Sequence, residues 1–150
     1  MIYLFDTDLL IVMIRGLKAS TSRAADRQRA EGLMARCRKA QADGHSVGLS
    51  AVTVSELDFG ARRSGKYEDE MAAVSKVLTP FDLYDYDALS CPQRYGQIRY
   101  ELETRGQTIR SMDLLIAAHA LALDATVVTN NDAHFSRVKG LKVVNWLKRA

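Results

Sequence analysis

The amino-acid sequence predicts one α/β domain over residues 1–150. Its predicted architecture is a three-layer α/β/α sandwich around a largely parallel central sheet. Strand-like and helix-like segments alternate along the whole chain, which is the pattern of parallel sheets covered by helices. The first strand-like run is apolar at successive positions, as expected for a strand buried on both faces. With 150 residues, 47% of them hydrophobic, the chain can bury one core, and no repeat or linker divides it.

The amino-terminal third is predicted to hold one strand and two helices. Residues 2–5 are the continuous apolar run. Thr7 and Asp8 follow it, and both are residue types that cap the start of a helix, here one that ends near Gly16. A second helix is predicted over residues 22–42, because this segment opens on a serine, carries many charges and stops at an Asp-Gly pair.

The middle third is predicted to hold two strands around two helices. Residues 45–49 form the second strand, and Ser50 then caps a helix over residues 52–63. A further helix over residues 67–78 has apolar side chains in helical phase and is followed by a proline. Residues 81–86 alternate between apolar and acidic side chains, which favours a strand at an edge of the sheet.

The carboxyl-terminal third continues the alternation. A helix over residues 87–105 is capped by an aspartate and carries a proline near its start, where proline is tolerated. A helix over residues 113–123 also begins at an aspartate, and its many small residues favour close packing against the sheet. Residues 126–128 and 141–144 are predicted strands, with a short helical piece at residues 132–137 between them.

Composition and motif content exclude several classes of protein. No apolar run reaches the roughly 18 residues that a membrane span needs, and no basic segment precedes an apolar stretch as in a secretory signal peptide. Cys37 and Cys91 are too few and too far apart for a disulfide framework, and no Cys-x-x-Cys pair suggests structural zinc. We therefore expect a reduced, cytoplasmic protein without a membrane partner.

Positive charge is concentrated in two parts of the chain, although the net charge is only +3. Residues 15–39 contain eight lysine and arginine residues against two acidic ones, and the tail from Arg137 adds five more with no acid. Basic flanks around an acidic centre suit a polyanion that is held over a cation-binding site. On charge alone, a solvated helix face is the simpler interpretation.

Carboxylates from four separate segments are predicted to converge at one edge of the sheet. They are Asp6 directly after the first strand, Glu56 early in the helix after the second, Asp113 at the start of its helix, and Asp132 after the strand at 126–128. The carboxyl ends of parallel strands meet at the same edge, where ligand crevices lie. Taken singly, Asp113 and Asp132 are more simply a helix cap and a turn residue, and Glu56 is as easily exposed. The joint pattern favours a functional site.

The acidic cluster predicts a bound divalent cation, because clustered like charges are costly without a counter-ion. Mg²⁺ and Mn²⁺ prefer carboxylates plus retained waters, and no histidine and cysteine set with zinc spacing competes. Such a cation generates hydroxide from water and stabilises the charge that develops during phosphodiester hydrolysis. The residues alone thus favour metal-dependent phosphodiester chemistry.

Five segments, taken in order, carry a resemblance to a known family. They are residues 4–11 (LFDTDLLI), 49–57 (LSAVTVSEL) with 60–61, 113–120 (DLLIAAHA), 127–131 (VVTNN) with Phe135, and 138–146 (VKGLKVVNW). Together they resemble the PIN domain, and more narrowly the VapC-type ribonuclease toxins of type II toxin–antitoxin pairs. The resemblance spans essentially the whole chain.

This resemblance implies a PIN-like fold and an endoribonuclease that depends on Mg²⁺ or Mn²⁺. The site residues that it implies are Asp6 and Asp113 as metal ligands, Glu56 and Asp132 with them for catalysis, and Thr129 and Asn130 for positioning the scissile phosphate. The expected partners are RNA, a cognate VapB-type antitoxin and a second copy of the chain in a homodimer.

Two features depart from the family pattern. The family's fourth acid usually falls at a position that matches Asn131 or His134, so Asp132, the nearest acid, is predicted to substitute for it. The connection between the first two motifs is longer than in many VapC toxins and extends the basic helix at residues 22–42. The resemblance implies that this region meets the antitoxin and RNA.

Two other functions stay open at this point. A PIN domain that has lost its fourth acid would bind RNA or a partner protein without cutting, and it would show no Mg²⁺ or Mn²⁺ binding that depends on Asp113. The Asp6-Thr7-Asp8 triplet after a strand also suggests a haloacid dehalogenase phosphatase. That class expects Thr or Val where Leu10 stands, so it ranks last.

Overall fold

Five strands and seven helices make up the part of the chain that the structure describes. The structure is a computed structural model, which describes residues 1–18 and 23–148. The strands are β1 (Ile2–Phe5), β2 (Ser46–Ser50), β3 (Asp82–Tyr84), β4 (Thr126–Val128) and β5 (Lys142–Val144). The helices are α1 (Thr7–Gly16), α2 (Ala24–Ala42), α3 (Ala51–Arg63), α4 (Tyr67–Leu78), α5 (Cys91–Thr104), α6 (Ser111–Leu123) and α7 (Asp132–Phe135). The predicted elements are confirmed in type and order, and the predicted start of the second helix, Ser22, lies outside the described residues.

All five strands run parallel in one sheet, in the order β3-β2-β1-β4-β5. The central strand β1 pairs Leu4 with Gly48 of β2 and with Val127 of β4. β3 lies at an edge, as its alternating pattern predicts. Because every strand points the same way, the residues that follow β1, β2 and β4 are neighbours at one edge of the sheet.

The sheet separates two apolar cores, which confirms the three-layer sandwich. Successive residues of β1 point to opposite faces, so Phe5 packs into one core and Leu4 into the other. Helices α1, α2, α3 and α4 close the Phe5 core, and α5 and α6 close the Leu4 core. A sheet covered on both faces explains why β1 and β4 are apolar at successive positions.

Two helices begin earlier than their predicted caps. α1 begins at Thr7, so Asp6 holds the N-cap position in place of Thr7 or Asp8, and the Asp6 side chain makes no capping hydrogen bond. α6 begins at Ser111, so Asp113 is its third residue and not its cap. Asp6 instead accepts a tertiary hydrogen bond from Thr129, and Asp113 accepts hydrogen bonds from the side chain of Arg110 three residues before it.

Of the two other predicted caps, Ser50 is confirmed and Asp87 is wrong as a helix cap. Ser50 caps α3 as predicted, because its Oγ accepts a hydrogen bond from the Val52 amide at 3.1 Å. Asp87 caps a turn in front of α5, where its Oδ2 accepts from the Ser90 amide at 3.1 Å, and the helix itself begins at Cys91. An aspartate that bonds amides two and three residues ahead favours a local turn over a helix start.

The described residues contain no helix that is both long and apolar enough to cross a membrane. Cys37 and Cys91 are both free thiols and both buried. Burial raises the pKa of the Cys37 thiol to about 12, so it behaves as an inert core residue.

Gly16 lies where α1 and α2 cross closely. A Cβ added there would overlap the backbone carbonyl oxygen of Asp26 and lie 2.6 Å from the Ala30 Cβ, whereas one at Gly32 would meet nothing within 4 Å. Gly16→Ala should therefore lower the free energy of unfolding by about 1–3 kcal/mol, because the two helices must separate.

Gly32→Ala is the matched control, since it makes the same change in the middle of α2. It should raise the free energy of unfolding by about 0.5–1 kcal/mol, because alanine is the better helix former. Urea unfolding followed by circular dichroism measures both effects. A Gly16→Ala protein as stable as the Gly32→Ala protein would contradict the close crossing.

Candidate active site

Asp6 lies at the carboxyl end of the central strand, where the sequence predicts the site. Its amide donates to the Val128 carbonyl at 2.9 Å, which extends the pairing of β1 with β4 by one residue. The residue is only 1% exposed. Its Oδ2 accepts a hydrogen bond from Thr129 Oγ1 at 2.7 Å, while Oδ1 is buried with no hydrogen-bond partner among the described residues. One oxygen therefore fixes the side chain and the other is left for a ligand.

The surroundings of Asp6 disfavour its negative charge. Burial raises the pKa of this carboxyl from 3.8 to about 6, although the Thr129 hydrogen bond opposes the rise. The charges of Asp113 and Asp8 raise the pKa further, because like charges resist ionisation. A cation at the free oxygen would relieve both penalties.

Glu56 reaches the acidic cluster from α3, which starts directly after β2. Its Oε1 accepts a hydrogen bond from Thr7 Oγ1 at 3.0 Å, and that hydroxyl also lies 2.9 Å from Thr53 Oγ1. Glu56 is partly buried, and burial raises the pKa of its carboxyl, with a smaller contribution from the charge of Asp8. Glu56 thus belongs to the cluster and not to a solvated helix face.

Asp113 shares the cluster with Arg110 and Asp8, two residues that the sequence prediction missed. Its side chain is 4% exposed, and Arg110 bonds both oxygens: Nε donates to Oδ2 at 3.2 Å and Nη2 to Oδ1 at 3.3 Å. Nη2 also donates to Asp8 Oδ2 at 2.9 Å. The Asp113 hydrogen bonds raise the pKa of the Arg110 guanidinium, so it stays charged. Both missed residues could have been found by their proximity in sequence to a predicted site residue, because Asp8 lies two residues after Asp6 and Arg110 three residues before Asp113.

The loop after β4 brings Asn130 and Asp132 together through the carboxyl-terminal segment. Asn145 Nδ2 donates to Asn130 Oδ1 and to Asp132 Oδ1, both at 3.3 Å. Lys148 Nζ lies 2.9 Å from Asp132 Oδ2, and this hydrogen-bonded pair lowers the pKa of the Asp132 carboxyl. The predicted fourth acid therefore lies beside the predicted phosphate-positioning asparagine and carries its own lysine counter-ion.

Buried and partly buried polar contacts hold the acid-bearing segments in register. His119 Nδ1 lies 2.8 Å from Ser50 Oγ, which joins α6 to the N-cap of α3. Thr129 Oγ1 accepts from the Asn131 amide at 2.8 Å, and Asn131 Nδ2 lies 2.9 Å from His134 Nδ1. The two positions that usually carry the family's fourth acid are thus engaged with each other.

The donor set fits a divalent cation held by one or two carboxylates together with water. Asp6 Oδ1 is a buried carboxylate oxygen without a partner, and the charges of Asp113 and Asp8 act on it. Mg²⁺ commonly takes one or two protein carboxylates and keeps several waters. In the described part of the chain, no three acidic, histidine or cysteine side chains are arranged to enclose a metal ion. A water-rich site is therefore the kind that fits.

Comparison with known proteins identifies the family. A model of the PIN domain matches residues 3–141, a range that contains Asp6, Glu56, Asp113 and Asp132. This chain belongs to the PIN domain family. The resemblance carried by the five sequence segments is thereby confirmed.

The relatives of this PIN domain carry VapC names. A Rickettsia felis protein named ribonuclease VapC2 is 37% identical over 107 residues, which cover 71% of this chain and 79% of the relative. A Shigella flexneri protein named tRNA(fMet)-specific endonuclease VapC is 38% identical over 98 residues, covering 65% of this chain and 74% of the relative. The crystal structure of VapBC2 from Rickettsia felis, bound to a DNA fragment from the promoter, matches with a TM-score of 0.83 at 30% identity, over 97% of this chain and 99% of that chain. These likenesses confirm the predicted fold and the VapC-type resemblance.

Thr129→Val should remove the hydrogen bond that holds Asp6 in this PIN domain, while valine keeps nearly the same side-chain shape as threonine. Valine removes the hydroxyl that donates to Asp6 Oδ2 and accepts from the Asn131 amide. We expect the free energy of unfolding to fall by about 1–3 kcal/mol, because buried polar groups lose their partner. We also expect the Asp6 pKa to rise further, since this hydrogen bond favours the ionised carboxylate.

Thr126→Val is the matched control, because Thr126 is a buried threonine at the opposite end of β4, paired with Tyr3. Urea unfolding and a carbon-detected NMR titration of Asp6 compare the two variants. An Asp6 pKa that is equal in both would contradict the role given to the Thr129 hydroxyl.

Proposed function

We propose that this PIN domain is a metal-dependent endoribonuclease that hydrolyses RNA phosphodiester bonds, and that it is the toxin component of a VapBC-type pair. The observation that carries the proposal is the buried Asp6 carboxylate at the carboxyl end of β1, with one unpartnered oxygen, together with the charge of Asp113 on α6, which acts on both Asp6 and Glu56. The relatives named VapC ribonucleases support the reaction class.

Asp6 and Asp113 are the proposed ligands of Mg²⁺ or Mn²⁺. When bound, the cation would act as a Lewis acid that lowers the pKa of water and stabilises negative charge on the phosphate. Thr129 holds the Asp6 side chain in its ligand-binding orientation. If the Asp6 carboxylate turned to cap α1, its 2.7 Å hydrogen bond from Thr129 to Oδ2 would break. The unpartnered Oδ1 is the oxygen that this arrangement reserves for the cation.

Glu56 and Asp132 are proposed to orient and activate the attacking water. Burial raises the pKa of the Glu56 carboxyl, and a higher pKa makes a carboxylate a better proton acceptor. Thr7 holds Oε1 of Glu56 and so limits the positions of its carboxylate. Asp132 stays ionised beside Lys148 and serves as the fourth acid in place of the usual position.

RNA is proposed to bind with its scissile phosphate at Asn130 and with its backbone along the basic face of α2, while the buried Thr129 positions the phosphate indirectly by holding Asp6. A face of this kind attracts the phosphate backbone without reading the base sequence. Its exposed basic side chains are Arg27, Arg29, Arg36, Arg38 and Lys39. Lys148 of the basic tail is exposed too, and Arg149 lies outside the described residues.

A VapB-type antitoxin is the proposed protein partner, seated in a groove that is lined by apolar and charged side chains and reaches Glu56 of the acidic cluster. The groove is formed by α1, α3 and α4, and it has a cavity volume of about 260 Å³. Its lining includes Ile11, Ile14, Leu57 and Val74, and also Glu56 of the acidic cluster. An amphipathic segment fits a groove of this kind, and the Rickettsia felis structure is a VapBC complex.

A homodimer in the cytoplasm is also proposed. Leu83, Leu89 and Tyr100 are large apolar side chains that are 62%, 90% and 73% exposed, which leaves them available to a second copy. Light scattering on the purified protein should give twice the chain mass of 16.7 kDa. A single-chain mass at micromolar concentration would contradict the dimer.

Cleavage of RNA by the purified protein tests the proposed activity. Total cellular RNA and tRNA(fMet), the substrate in the name of the Shigella relative, are each incubated with Mg²⁺, Mn²⁺ or EDTA. We expect discrete fragments that require the metal and Asp6. Absent cleavage by folded, antitoxin-free protein, together with absent Asp113-dependent Mn²⁺ binding, would favour a binding module that does not cut.

A further inference from the structure

We propose that Arg110 is an internal counter-ion that controls metal loading, with its guanidinium on the Asp113 carboxylate in the metal-free protein and off it when a divalent cation is bound. This inference rests on the proposed function, because it concerns the same carboxylate site. It adds a residue that regulates how readily the cation enters.

The geometry makes the guanidinium and a cation competitors for the same oxygens. Arg110 Nε and Nη2 donate to Oδ2 and Oδ1 of Asp113 at 3.2 and 3.3 Å, so both oxygens already face positive charge. Asp113 is only 3% exposed, so its carboxylate has no second, solvated face to offer. Asp6, by contrast, keeps one oxygen without a partner. A cation that joins the two carboxylates therefore has to share the buried Asp113 oxygens with a guanidinium of the same charge, which favours release of Arg110 from at least one of them.

Arg110 is placed so that it can leave without disturbing the core. Its side chain is 61% exposed, against 4% for Asp113, so the guanidinium covers the carboxylate from the solvent side. Asp8 offers a second anchor, because Arg110 Nη2 lies 2.9 Å from Asp8 Oδ2 and the Asp8 side chain is 53% exposed. Movement towards Asp8 and solvent frees Asp113 and keeps the guanidinium paired.

Competition of this kind weakens metal binding, because the apparent Kd equals the intrinsic Kd divided by the fraction of molecules in which Asp113 is free. The positive charge of Arg110 also opposes an approaching cation. Both effects have the same sign, so removal of Arg110 should tighten metal binding. If Arg110 instead supported the metal-bound site, its removal would weaken binding, so the sign of the change separates the two roles.

Calorimetric titration with Mn²⁺ alone tests the inference on the purified full chain. We expect Arg110→Gln to bind Mn²⁺ at least about fivefold more tightly than the wild type, the lower end of typical coupling between sites. Arg105→Gln is the matched control, because it removes the same charge from a residue that bonds the Arg137 carbonyl and not the acids. Its affinity should equal that of the wild type.

The remaining outcomes count against the inference. Equal or weaker Mn²⁺ binding by Arg110→Gln overturns it, and equal gains in both arginine variants assign the effect to overall charge. Asp113→Asn separates this failure from that of the proposed function. If the wild type shows no binding that depends on Asp113, the metal site itself fails, whereas Asp113-dependent binding that ignores Arg110 removes only the role of the arginine.

A second measurement uses the wild type and so does not depend on a variant that folds. The Arg110 side-chain Nε–H signal, assigned by its absence in Arg110→Gln or by triple-resonance NMR, is followed during titration with diamagnetic Mg²⁺. We expect it to move towards the shift and exchange rate of a solvent-exposed arginine as the site fills. A signal that stays unchanged at saturation overturns the inference.

Discussion

Asp6→Asn is expected to abolish RNA cleavage while the protein stays folded. The change replaces the unpartnered Oδ1, or its equivalent position, by an amide NH₂ that cannot bind a cation. The loss should exceed the roughly 10–100-fold decrease that follows when only a hydrogen-bond partner of a metal ligand is removed. Gel-based cleavage assays with Mg²⁺ or Mn²⁺ measure it directly.

The fold should survive because the Asp6 side chain caps nothing. It occupies the N-cap position of α1 without a capping hydrogen bond, and the carbonyl oxygen of asparagine can still accept from Thr129. Circular dichroism and gel filtration should therefore match the wild type. A loss of cleavage in an unfolded variant would not count as support.

Asp124→Asn is the matched control for this variant. Asp124 ends α6 with a φ of 52°, a left-handed conformation that asparagine adopts readily, and its side chain is 88% exposed. Among the described residues Asp124 forms an ion pair with Lys142 alone, far from the acidic cluster along the sheet, so cleavage should be unchanged. An Asp6→Asn protein that cuts RNA as fast as this control would contradict the assignment of Asp6.

The second large effect is a loss of stability of the metal-free protein as pH rises through the titration range of Asp6. The folded protein raises the pKa of this carboxyl from 3.8 to about 6, so between these values the folded state binds more protons than the unfolded state. Stability therefore falls with rising pH over that window. A shift of this size corresponds to about 3 kcal/mol once both states are ionised.

Asp6→Asn removes this titration and isolates its contribution. The difference in unfolding free energy between the variant and the wild type should grow in favour of the variant by about 2 kcal/mol from pH 4 to pH 7, because part of the total change already lies below pH 4. The change with pH is the informative quantity, because the buried amide of asparagine adds a cost that does not depend on pH.

Urea unfolding in EDTA at several pH values measures both proteins without metal. Parallel stability curves for wild type and Asp6→Asn would contradict the raised pKa of Asp6. Addition of Mg²⁺ to the wild type should flatten its curve, because a cation at the carboxylate favours the ionised form.

The order and type of the elements could be predicted because each depends on local patterns. The apolar run at residues 2–5 and the helical phase at residues 67–78 match β1 and α4. Helix starts were less predictable where another side chain engaged the aspartate that was expected to cap. Asp6 turned to Thr129 and Asp113 to Arg110, so α1 and α6 start at other residues than their predicted caps.

The sequence predicted the acids of the candidate site, whose roles stay predictions, but it did not predict the arginine beside them. Asp6, Glu56 and Asp113 follow from the rule that ligand sites lie beyond the carboxyl ends of parallel strands, and the structure brings their charges together. Arg110 had only its proximity to Asp113 as a signal, and an arginine before a helix is ordinary in sequence. Its second contact, with Asp8, joins residues 102 positions apart along the chain and is visible only in the folded structure.

The sequence by itself therefore determined the α/β class, the parallel order of elements and the membership in a nuclease-like family, since these rest on periodicity and on short motifs. Only the tertiary structure decided which oxygen of each carboxylate is engaged. Burial leaves Oδ1 of Asp6 without a partner, whereas a guanidinium from the solvent side covers both oxygens of Asp113. That asymmetry arises because desolvation and charge pairing depend on which surfaces meet in the folded chain, and no local pattern encodes them.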